Sequence, residues 1–472
     1  LICEMGLGIK PRKPPVLIVL PLALIDEWKS NLEQRVQPML KVCVYHDGKL
    51  NGKVTTTDYT VEELENYDVV LTTYTVLRNQ FDRAGIIANP DTKANEVACK
   101  VQAEYRVAMT GTPLLNEYTD VHGLLKFLRI EPWDRLRIFK DYFLSKRTAK
   151  NTHARVLSEI RTTLLAATLL AISMRLKITD LFDGVAVVQF EPPDEYIVDH
   201  DLDEEQTIFQ TKLKHIWDSE ERRLVELLEK DGLWSSSLHP HEVFPAITNA
   251  KLTAVHVECA RAGYGEVGDA DVIEDPGARR SEAQAEAHRG HQGNHVRGHA
   301  KKKRQAFRDK MKNGGWGSPR MKEFLRIVKR FRRSRKAGKM IIFSEYLCTL
   351  DVAEAALEAE GCEVLRFDGW SSQADRERAL ALFEDGHNGY DFLLMTSRSG
   401  GLGLNLAIAK GVFHLTPCWN PVLTAQCTAR AVRPGQDQKV QVWHFIVSES
   451  LERYIREVAN VKKLKANRIL DP

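Results

Sequence analysis

The feature that most constrains the fold is a glycine-rich segment, residues 396–406, which directly follows the apolar run 392–395. Glycine lets backbone amides come close to a phosphate, because no Cβ stands in the way. Gln426, Arg430 and Arg433 follow downstream, and we expect the two arginines, three residues apart, to share one face of a helix. Guanidinium groups bind phosphate oxygens well. This region therefore predicts a lobe edge that contacts phosphates and nucleic acid.

Other segments around this region complete a recognisable series. Residues 339–345 read as a strand, Asp368-Gly369 as a turn followed by a helix with Arg376 and Arg378, and 392–396 as the strand that leads into the glycines. In this order they resemble the C-terminal lobe of the Swi/Snf-type DNA-dependent ATPases of helicase superfamily two. The resemblance implies an α/β fold: two RecA-like parallel-sheet lobes joined by a helical region with a disordered insertion.

The N-terminal part resembles the other lobe of that family in a damaged form. Gly6 and Gly8 match the start of its phosphate loop, Thr72-Thr73 follow a strand, and residues 106–116 resemble its coupling motif, with Thr110, Gly111 and Thr112 at the turn. A strand at 16–20 and the β-branched runs that follow it are typical of a βαβ arrangement.

The phosphate loop departs from the family pattern. Such a loop ends in Gly-Lys-Ser/Thr, because the lysine reaches the β/γ-phosphates and the hydroxyl holds magnesium. Here Lys10 comes one position late, no hydroxyl follows, and Pro11, Pro14 and Pro15 prevent an uninterrupted helix. The sequence predicts a loop that has lost its helix.

The acidic box is also reduced. In the best register Asp82 takes the place of its first carboxylate, the magnesium ligand, and Arg83 replaces the glutamate that positions the attacking water. The predicted metal site is therefore limited to Asp82, and a positive charge stands beside it.

The resemblance implies that ATP and Mg²⁺ are the cofactors, that double-stranded DNA is a partner and that nucleosomes or chromatin proteins are candidate partners. It assigns transition-state stabilisation to Arg430 and Arg433, with Asp82 as the third catalytic residue. The residues it assigns to nucleotide binding are Gly6, Gly8, Lys10, Gly403 and Gln426. The residues it assigns to DNA contact are Thr72, Thr73, Ser397, Gly400, Gly401 and Asn405.

Length and composition allow this interpretation. The chain has 472 residues, 43% of them hydrophobic, and a net charge of only +3, so affinity for nucleic acid must come from local patches. We expect four regions: an incomplete N-terminal lobe (1–130), a helical inter-lobe region (131–262), a disordered low-complexity insertion (263–317) and a C-terminal lobe (318–472). Within the insertion, His288, His291, His295 and His299 have helix-like spacing, so metal binding is an alternative to a solvated tract.

Cellular location is suggested by simpler features. Eight scattered cysteines without a Cys-x-x-Cys pair favour a reduced intracellular compartment, and no apolar stretch is long enough to span a membrane. The basic runs 301–304 and 329–336 are interpreted as nuclear-import signals, as phosphate-contacting patches or as solvated helix faces. We expect a nuclear protein. Because the chain begins inside a motif, a fragment or an incomplete gene product is also expected.

Three hypotheses about function stand at this stage. The first is an active ATP-dependent DNA translocase in chromatin remodelling or DNA repair, impaired by the altered loop. The second is a homologue that binds DNA or a chromatin partner without hydrolysing ATP. The third is a truncated or mis-spliced gene product whose first lobe folds poorly.

Overall fold

The computed structural model describes residues 15–21, 24–36, 40–46, 49–50, 53–54, 61–77, 93–110, 118–144, 152–174, 181–182, 185–186, 191–213, 240–262, 292–334, 338–385, 389–400, 404–433, 436 and 438–470. Its strands are β1 (Val16–Val19), β2 (Val42–His46), β3 (Lys49–Leu50), β4 (Lys53–Val54), β5 (Val69–Thr72), β6 (Leu181–Phe182), β7 (Val185–Ala186), β8 (Asp194–Asp199), β9 (Lys339–Ser344), β10 (Glu363–Phe367), β11 (Tyr390–Thr396), β12 (Ala409–His414) and β13 (Gln441–Ile446).

The helices are α1 (Ile25–Arg35), α2 (Val61–Leu64), α3 (Lys93–Lys100), α4 (Tyr118–Leu128), α5 (Leu136–Phe139), α6 (Thr152–Ile172), α7 (Pro240–Val255), α8 (Val257–Arg261), α9 (Gln292–Lys310), α10 (Pro319–Arg332), α11 (Leu347–Ala359), α12 (Gln373–Glu384), α13 (Ser397–Gly400), α14 (Pro421–Thr428) and α15 (Leu451–Leu470). Short π-helical segments, Lys140–Leu144 and Met311–Gly315, follow α5 and α9. Among these helices, none is both long and apolar enough to cross a membrane.

The N-terminal sheet has the strand order β1-β5-β2-β3-β4. Its first three strands are parallel, and β3 and β4 extend it as a small antiparallel hairpin. All four residues of β5 are buried, as expected for a strand covered on both faces. Helix α1 packs onto the sheet through Ile25 and Leu32.

The C-terminal sheet has six strands in the order β10-β11-β9-β12-β13-β8, and every pairing is parallel. The central strand β9 is fully buried. Its Met340 and Ile342 join the apolar cluster on one face, whereas Ile341 and Phe343 join the cluster on the other. This alternation follows from the two-residue period of a strand. The predicted α/β fold with two parallel-sheet lobes is confirmed.

The structure corrects the predicted boundary of the helical inter-lobe region. Within it, β8 pairs in parallel with β13, so residues 194–199 complete the C-terminal sheet. The sequence did not predict this pairing. The segment Asp-Glu-Tyr-Ile-Val-Asp lacks the apolar run of a buried strand, because β8 lies at the edge of the sheet and pairs with β13 on one side. The remaining described part of the region predicted to be helical contains the long helix α6, and residues 204–213 are also helical.

The prediction of disorder for 263–317 is wrong at its C-terminal end. Residues 292–315 form α9 and its π-helical continuation, and Phe307 and Met311 enter the main apolar cluster. Low hydrophobicity misled the prediction, because this helix is held largely by ion pairs. Residues 263–291 lie outside the described part of the chain, as do the side chains of the four insertion histidines.

Candidate nucleotide and nucleic-acid site

The arginine pair follows helix α14, whose start is fixed by local sequence. The Asn420 side chain accepts a hydrogen bond from the Val422 amide at 2.9 Å, and Pro421 occupies the first turn, where a missing N–H costs nothing. The helix ends at Thr428, so Arg430 and Arg433 lie in the tight turns that follow it. The prediction that both arginines share a helix face is therefore wrong. Gln426 lies in the second half of this helix.

The two arginines nevertheless form one electropositive unit. Burial lowers the pKa of Arg430, and the positive charge of Arg433 lowers it further. The Arg433 side chain is held in place, since its Nε donates to the Ala429 carbonyl at 3.1 Å. Two neighbouring guanidinium groups, one of them partly desolvated, are suited to bind a polyanion such as a triphosphate.

The glycine-rich segment and the arginine turn contact each other at two points. Cys427 Sγ donates to the backbone oxygen of Ser397 at 3.2 Å, and the Leu406 amide donates to the Arg430 carbonyl at 2.9 Å. The glycine-rich segment is thus tied at Ser397 to the last turn of α14 and at Leu406 to the turn that carries the arginines. A displacement of either element should be passed directly to the other.

The side chain of Ser397 itself faces inward. It is 2% exposed, and its hydroxyl accepts a weak hydrogen bond from Cys418 Sγ at 3.8 Å. Nearby, Thr396 Oγ1 lies 2.7 Å from Ser399 Oγ, which closes the short helix α13 that ends at Gly400. Arg398 and Asn405 are the exposed side chains here. Of the predicted DNA contacts in this segment, Asn405 thus presents its side chain, whereas Ser397 is a packing residue.

Thr72 and Thr73 in the N-terminal lobe are also buried, at 2% and 4% exposure. The Thr72 hydroxyl donates to the Tyr45 carbonyl at 2.9 Å, and the Thr73 hydroxyl accepts from the Val76 amide at 3.3 Å. Neither hydroxyl is available for a side-chain contact with DNA. Tyr74, 42% exposed, is the accessible residue of this segment.

The remaining predicted residues differ in how far the structure describes them. Thr110 lies exposed at the end of an irregular segment, with Tyr105, Val107 and Met109 also exposed. Several predicted positions lie outside the described residues: Gly6, Gly8, Lys10, Asp82, Gly111, Thr112, Gly401 and Gly403. The described side chains include no group of three carboxylates, histidines or cysteines that could hold a metal ion.

Glu27 is a residue that the sequence did not single out. Its Oε1 lies 3.9 Å from Arg433 Nη1, so helix α1 of the N-terminal lobe faces the arginine turn of the C-terminal lobe. The Glu27 carboxylate also favours the charged form of Arg430. No motif around Glu27 indicates this role, because the contact joins residues about 400 positions apart.

His414 is a second residue that the sequence missed. It ends β12, is 3% exposed, and its Nε2 lies 2.9 Å from Thr428 Oγ1 at the end of α14. Its ring stacks on Phe343 and on His444, at centroid distances of 5.6 and 4.9 Å. Burial lowers its pKa well below the usual value, and His444 adds to this effect. The neutral ring thus supports the helix that leads to the arginines.

Gln436 fixes the far end of the arginine turn. Its Nε2 donates to the Ala409 and Ala431 carbonyls at 3.0 and 2.9 Å, and its Oε1 accepts from Lys410. Since Ala409 and Lys410 begin β12, the turn is anchored to the sheet on both sides of the arginines. The sequence did not indicate this structural role of Gln436.

Comparisons with known proteins point in one direction. The family model described as SNF2-related domain matches residues 7–232, and the helicase conserved C-terminal domain matches residues 320–435. DNA repair protein RAD5B of Arabidopsis thaliana is 25% identical over 554 residues, which cover 99% of this chain and 42% of that protein. Helicase-like transcription factor of Mus musculus is 24% identical over 543 residues, with coverages of 98% and 51%.

Transcription termination factor 2 of Drosophila melanogaster is 22% identical over 531 residues, which cover 97% of this chain and 49% of that protein. The chain thus spans about half the length of the curated relatives it matches. Among solved structures, the Sulfolobus solfataricus SWI2/SNF2 ATPase core in complex with dsDNA covers 97% of this chain and 86% of its own, at 19% identity and a TM-score of 0.37. At this score the overlay adds nothing to the topology described above.

Proposed function

The chain belongs to the SNF2-related family of helicase-like ATPases, and we propose that it is an ATP-dependent DNA translocase of the kind used in DNA repair or chromatin remodelling. The two family models together match most of its length, one in each lobe. Four of its relatives are named as DNA repair proteins of the RAD5 type, and one as a helicase-like transcription factor.

One observation carries the proposal beyond the family. The glycine-rich segment, with its exposed Arg398 and Asn405, is hydrogen-bonded at Ser397 to Cys427 in the last turn of α14, and at Leu406 to Arg430 in the turn that follows. The segment proposed to contact DNA is therefore mechanically coupled to the arginines proposed to contact the nucleotide. Such a link is what a motor needs in order to convert ATP hydrolysis into movement along DNA.

In this mechanism ATP supplies the phosphoryl group that is transferred to water. Arg430 and Arg433 neutralise the charge that develops on the phosphate oxygens, an effect that needs donors fixed in advance. The hydrogen bond from Arg433 to Ala429 and the anchoring of Gln436 to β12 provide that fixation. Lys10, Gly6 and Gly8 are proposed to contact the phosphates, and Asp82 to bind Mg²⁺.

DNA contact is proposed to be largely sequence-independent, through phosphates. Asn405 and Arg398 are the side chains suited to it in the C-terminal lobe, and the backbone amides at Gly400 and Gly401 can add further bonds. Thr72 and Thr73 are proposed to shape the N-terminal surface rather than to touch DNA, since both hydroxyls are used internally. We propose a nuclear location, with nucleosomes or chromatin proteins as partners.

A second candidate function rests on the sequence of the phosphate loop. Ile9, Lys10 and Pro11 stand where the family has Lys-Thr and a helix, and Arg83 stands beside the one remaining carboxylate. A chain with these changes can keep DNA or chromatin-partner binding while losing turnover.

ATP hydrolysis by the purified chain, with and without double-stranded DNA, tests the proposal. Arg433→Ala is expected to reduce DNA-stimulated turnover by about 100-fold or more, because it removes a positive charge from the transition state. Arg453→Ala is the matched control, since Arg453 is an exposed arginine of α15 that pairs only locally with Glu457. That control should keep wild-type turnover.

DNA binding is measured on the same samples by fluorescence anisotropy. If DNA stimulates ATP turnover and Arg433→Ala abolishes that stimulated turnover, the translocase proposal is supported. If the chain binds DNA but its ATP turnover does not exceed that of Arg433→Ala, the translocase proposal is rejected, and a DNA- or partner-binding homologue without ATP hydrolysis is favoured. A wild-type chain that shows no cooperative unfolding transition would instead indicate a defective gene product.

A further inference from the structure

A groove with an apolar floor and a basic rim lies on the outer side of the C-terminal lobe. It has a cavity volume of about 500 Å³ and lies between the second half of α10 and the turn that enters β10. Leu325, Val328 and Cys362 form the floor, with exposures of 4%, 2% and 9%. We call this feature the basic groove.

The rim of the basic groove carries more positive than negative charge. Lys329, Arg332 and Arg333 line it together with a single carboxylate, Glu360. Lys329 pairs with Glu360 at 2.8 Å, and Arg332 lies 3.7 Å from Asp391. These pairs are solvent-exposed, and exposed pairs contribute little stability. A ligand that carries carboxylates can therefore replace them at little cost.

The fold of α10 decides between the interpretations of the basic run 329–336. Residues 329–332 are helical, and Phe331 is 3% exposed within the main apolar cluster. An extended import signal would have to unwind this turn and expose Phe331. Residues 329–332 therefore act in the folded protein through the side chains that they present on the helix surface.

The position of the groove argues against the DNA of the motor cleft as its ligand. Glu360 and Cys362 lie just before the start of β10, whereas Ser397 and the arginine turn follow the ends of β11 and α14. The groove and the candidate site also lie on opposite faces of this sheet, since Leu325, Val328 and Cys362 belong to the apolar cluster on one face, whereas the cluster on the other face contains Leu406, Cys427 and Ala431. A phosphate backbone also gains nothing from an apolar floor.

We propose that the basic groove binds an acidic peptide segment of a partner protein, with one aliphatic side chain inserted between its carboxylates. The carboxylates contact Lys329, Arg332 and Arg333, and the aliphatic side chain covers Val328 and Leu325. This surface is independent of the proposed ATPase function, so either proposal can fail without the other.

The test uses a fluorescein-labelled peptide of ten glutamates with a central leucine, and a matched peptide with serine in place of that leucine. Binding to the full 472-residue chain is measured by anisotropy. The serine peptide is expected to bind about tenfold more weakly, since it has no aliphatic side chain to remove from water in the groove. The variant Arg332→Glu/Arg333→Glu is expected to lose at least about tenfold in affinity for the leucine peptide.

The variant Lys302→Glu/Lys303→Glu is the control. It makes the same change in net charge on an exposed stretch of α9 away from the groove, and it should bind the leucine peptide like the wild type. Circular dichroism verifies that both variants are folded.

Three results would overturn the proposal. If the leucine and serine peptides bind equally well, or if the two variants lose the same affinity for the leucine peptide, general charge attraction explains the binding. If a short DNA duplex displaces the leucine peptide, and binds the wild type but not Arg332→Glu/Arg333→Glu, the groove is a nucleic-acid surface. A dimer in sedimentation that the same variant abolishes would show that a second copy of the chain covers the groove.

Discussion

The guanidinium group of Arg320 forms a two-point ion pair with the carboxylate of Glu452, with Nη1–Oε1 and Nη2–Oε2 distances of 2.9 and 2.5 Å. Both side chains are almost completely buried, at 0% and 1% exposure. Arg320 also donates to the Leu415 carbonyl and to His200 Nε2, each at 2.8 Å. One residue thus joins α10, α15, the end of β12 and the strand β8.

Replacement of Arg320 by methionine should destabilise the C-terminal lobe by about 3–5 kcal/mol, because Glu452 is left buried without its partner. The double variant Arg320→Met/Glu452→Met should lose less than the sum of the two single variants, since no uncompensated charge remains. Urea denaturation of the three variants measures this. Strict additivity would contradict the role given to the pair.

Gly411 in β12 is predicted to reject even a methyl group. A Cβ at this position would lie 3.0 Å from Met340 Cγ and 3.2 Å from Trp443 Cζ3, both side chains of neighbouring strands. Gly411→Ala should therefore cost about 1–3 kcal/mol through overpacking. Gly317→Ala, where no atom lies within 4 Å of the added Cβ, is the control and should change stability by less than about 0.5 kcal/mol. Stability is measured by thermal or urea denaturation. An equal loss of stability in the two variants would refute this packing argument.

Helix α9 is predicted to depend on a buried cluster of charges. Arg304 Nε and Nη2 donate to the two carboxylate oxygens of Asp351 at 2.9 and 2.8 Å. Burial opposes the ionisation of Asp368, but the charges of Arg366 and Arg304 outweigh burial and lower the pKa of Asp368 to about 2. Arg304→Met removes one of these cations and leaves Asp351 with fewer partners.

Hydrogen exchange followed by mass spectrometry is the measurement for this cluster. In Arg304→Met, amides of residues 301–310 should exchange faster, while β9 and β12 keep most of their protection. The control Lys302→Met changes an exposed residue of the same helix and should leave exchange unaltered. Equal acceleration in both variants would mean that the cluster does not hold the helix.

His414 should make the stability of the lobe depend on pH. Its folded-state pKa is well below the ordinary value of 6.5, so the unfolded chain binds a proton that the folded chain does not. The free energy of unfolding should be unaffected by this residue above about pH 6.5 and should fall below it, by about 1.4 kcal/mol per pH unit. His414→Gln should lower the pH slope of stability by up to about 1.4 kcal/mol per pH unit between pH 6.5 and 5 in urea denaturation, whereas His200, His256 and His444, whose pKa values burial also lowers, keep contributing to it. A slope equal to that of the wild type would show that His414 does not carry the effect.

The two sheets could be predicted because their strands are local features. The apolar runs 16–20 and 392–395 are long enough to mark strands of a parallel sheet, and the glycine-rich segment begins where the second run ends. β8 escaped prediction, because a polar edge strand is recognised only through the partner it pairs with. Helix α9 escaped prediction because its stabilising partners, Asp351 and Glu354, are about 45 positions away.

At the candidate site the sequence determined which residue types are present: two arginines near a glycine-rich segment, and a phosphate loop and acidic box that depart from the family pattern. The tertiary structure decided what each side chain can do. It buried Ser397, Thr72 and Thr73 in internal hydrogen bonds, moved the arginines from a helix into the turns after it, and placed Glu27 opposite them. The physical reason is that residue type is a local property, whereas exposure and hydrogen-bond partners depend on which distant segments pack together.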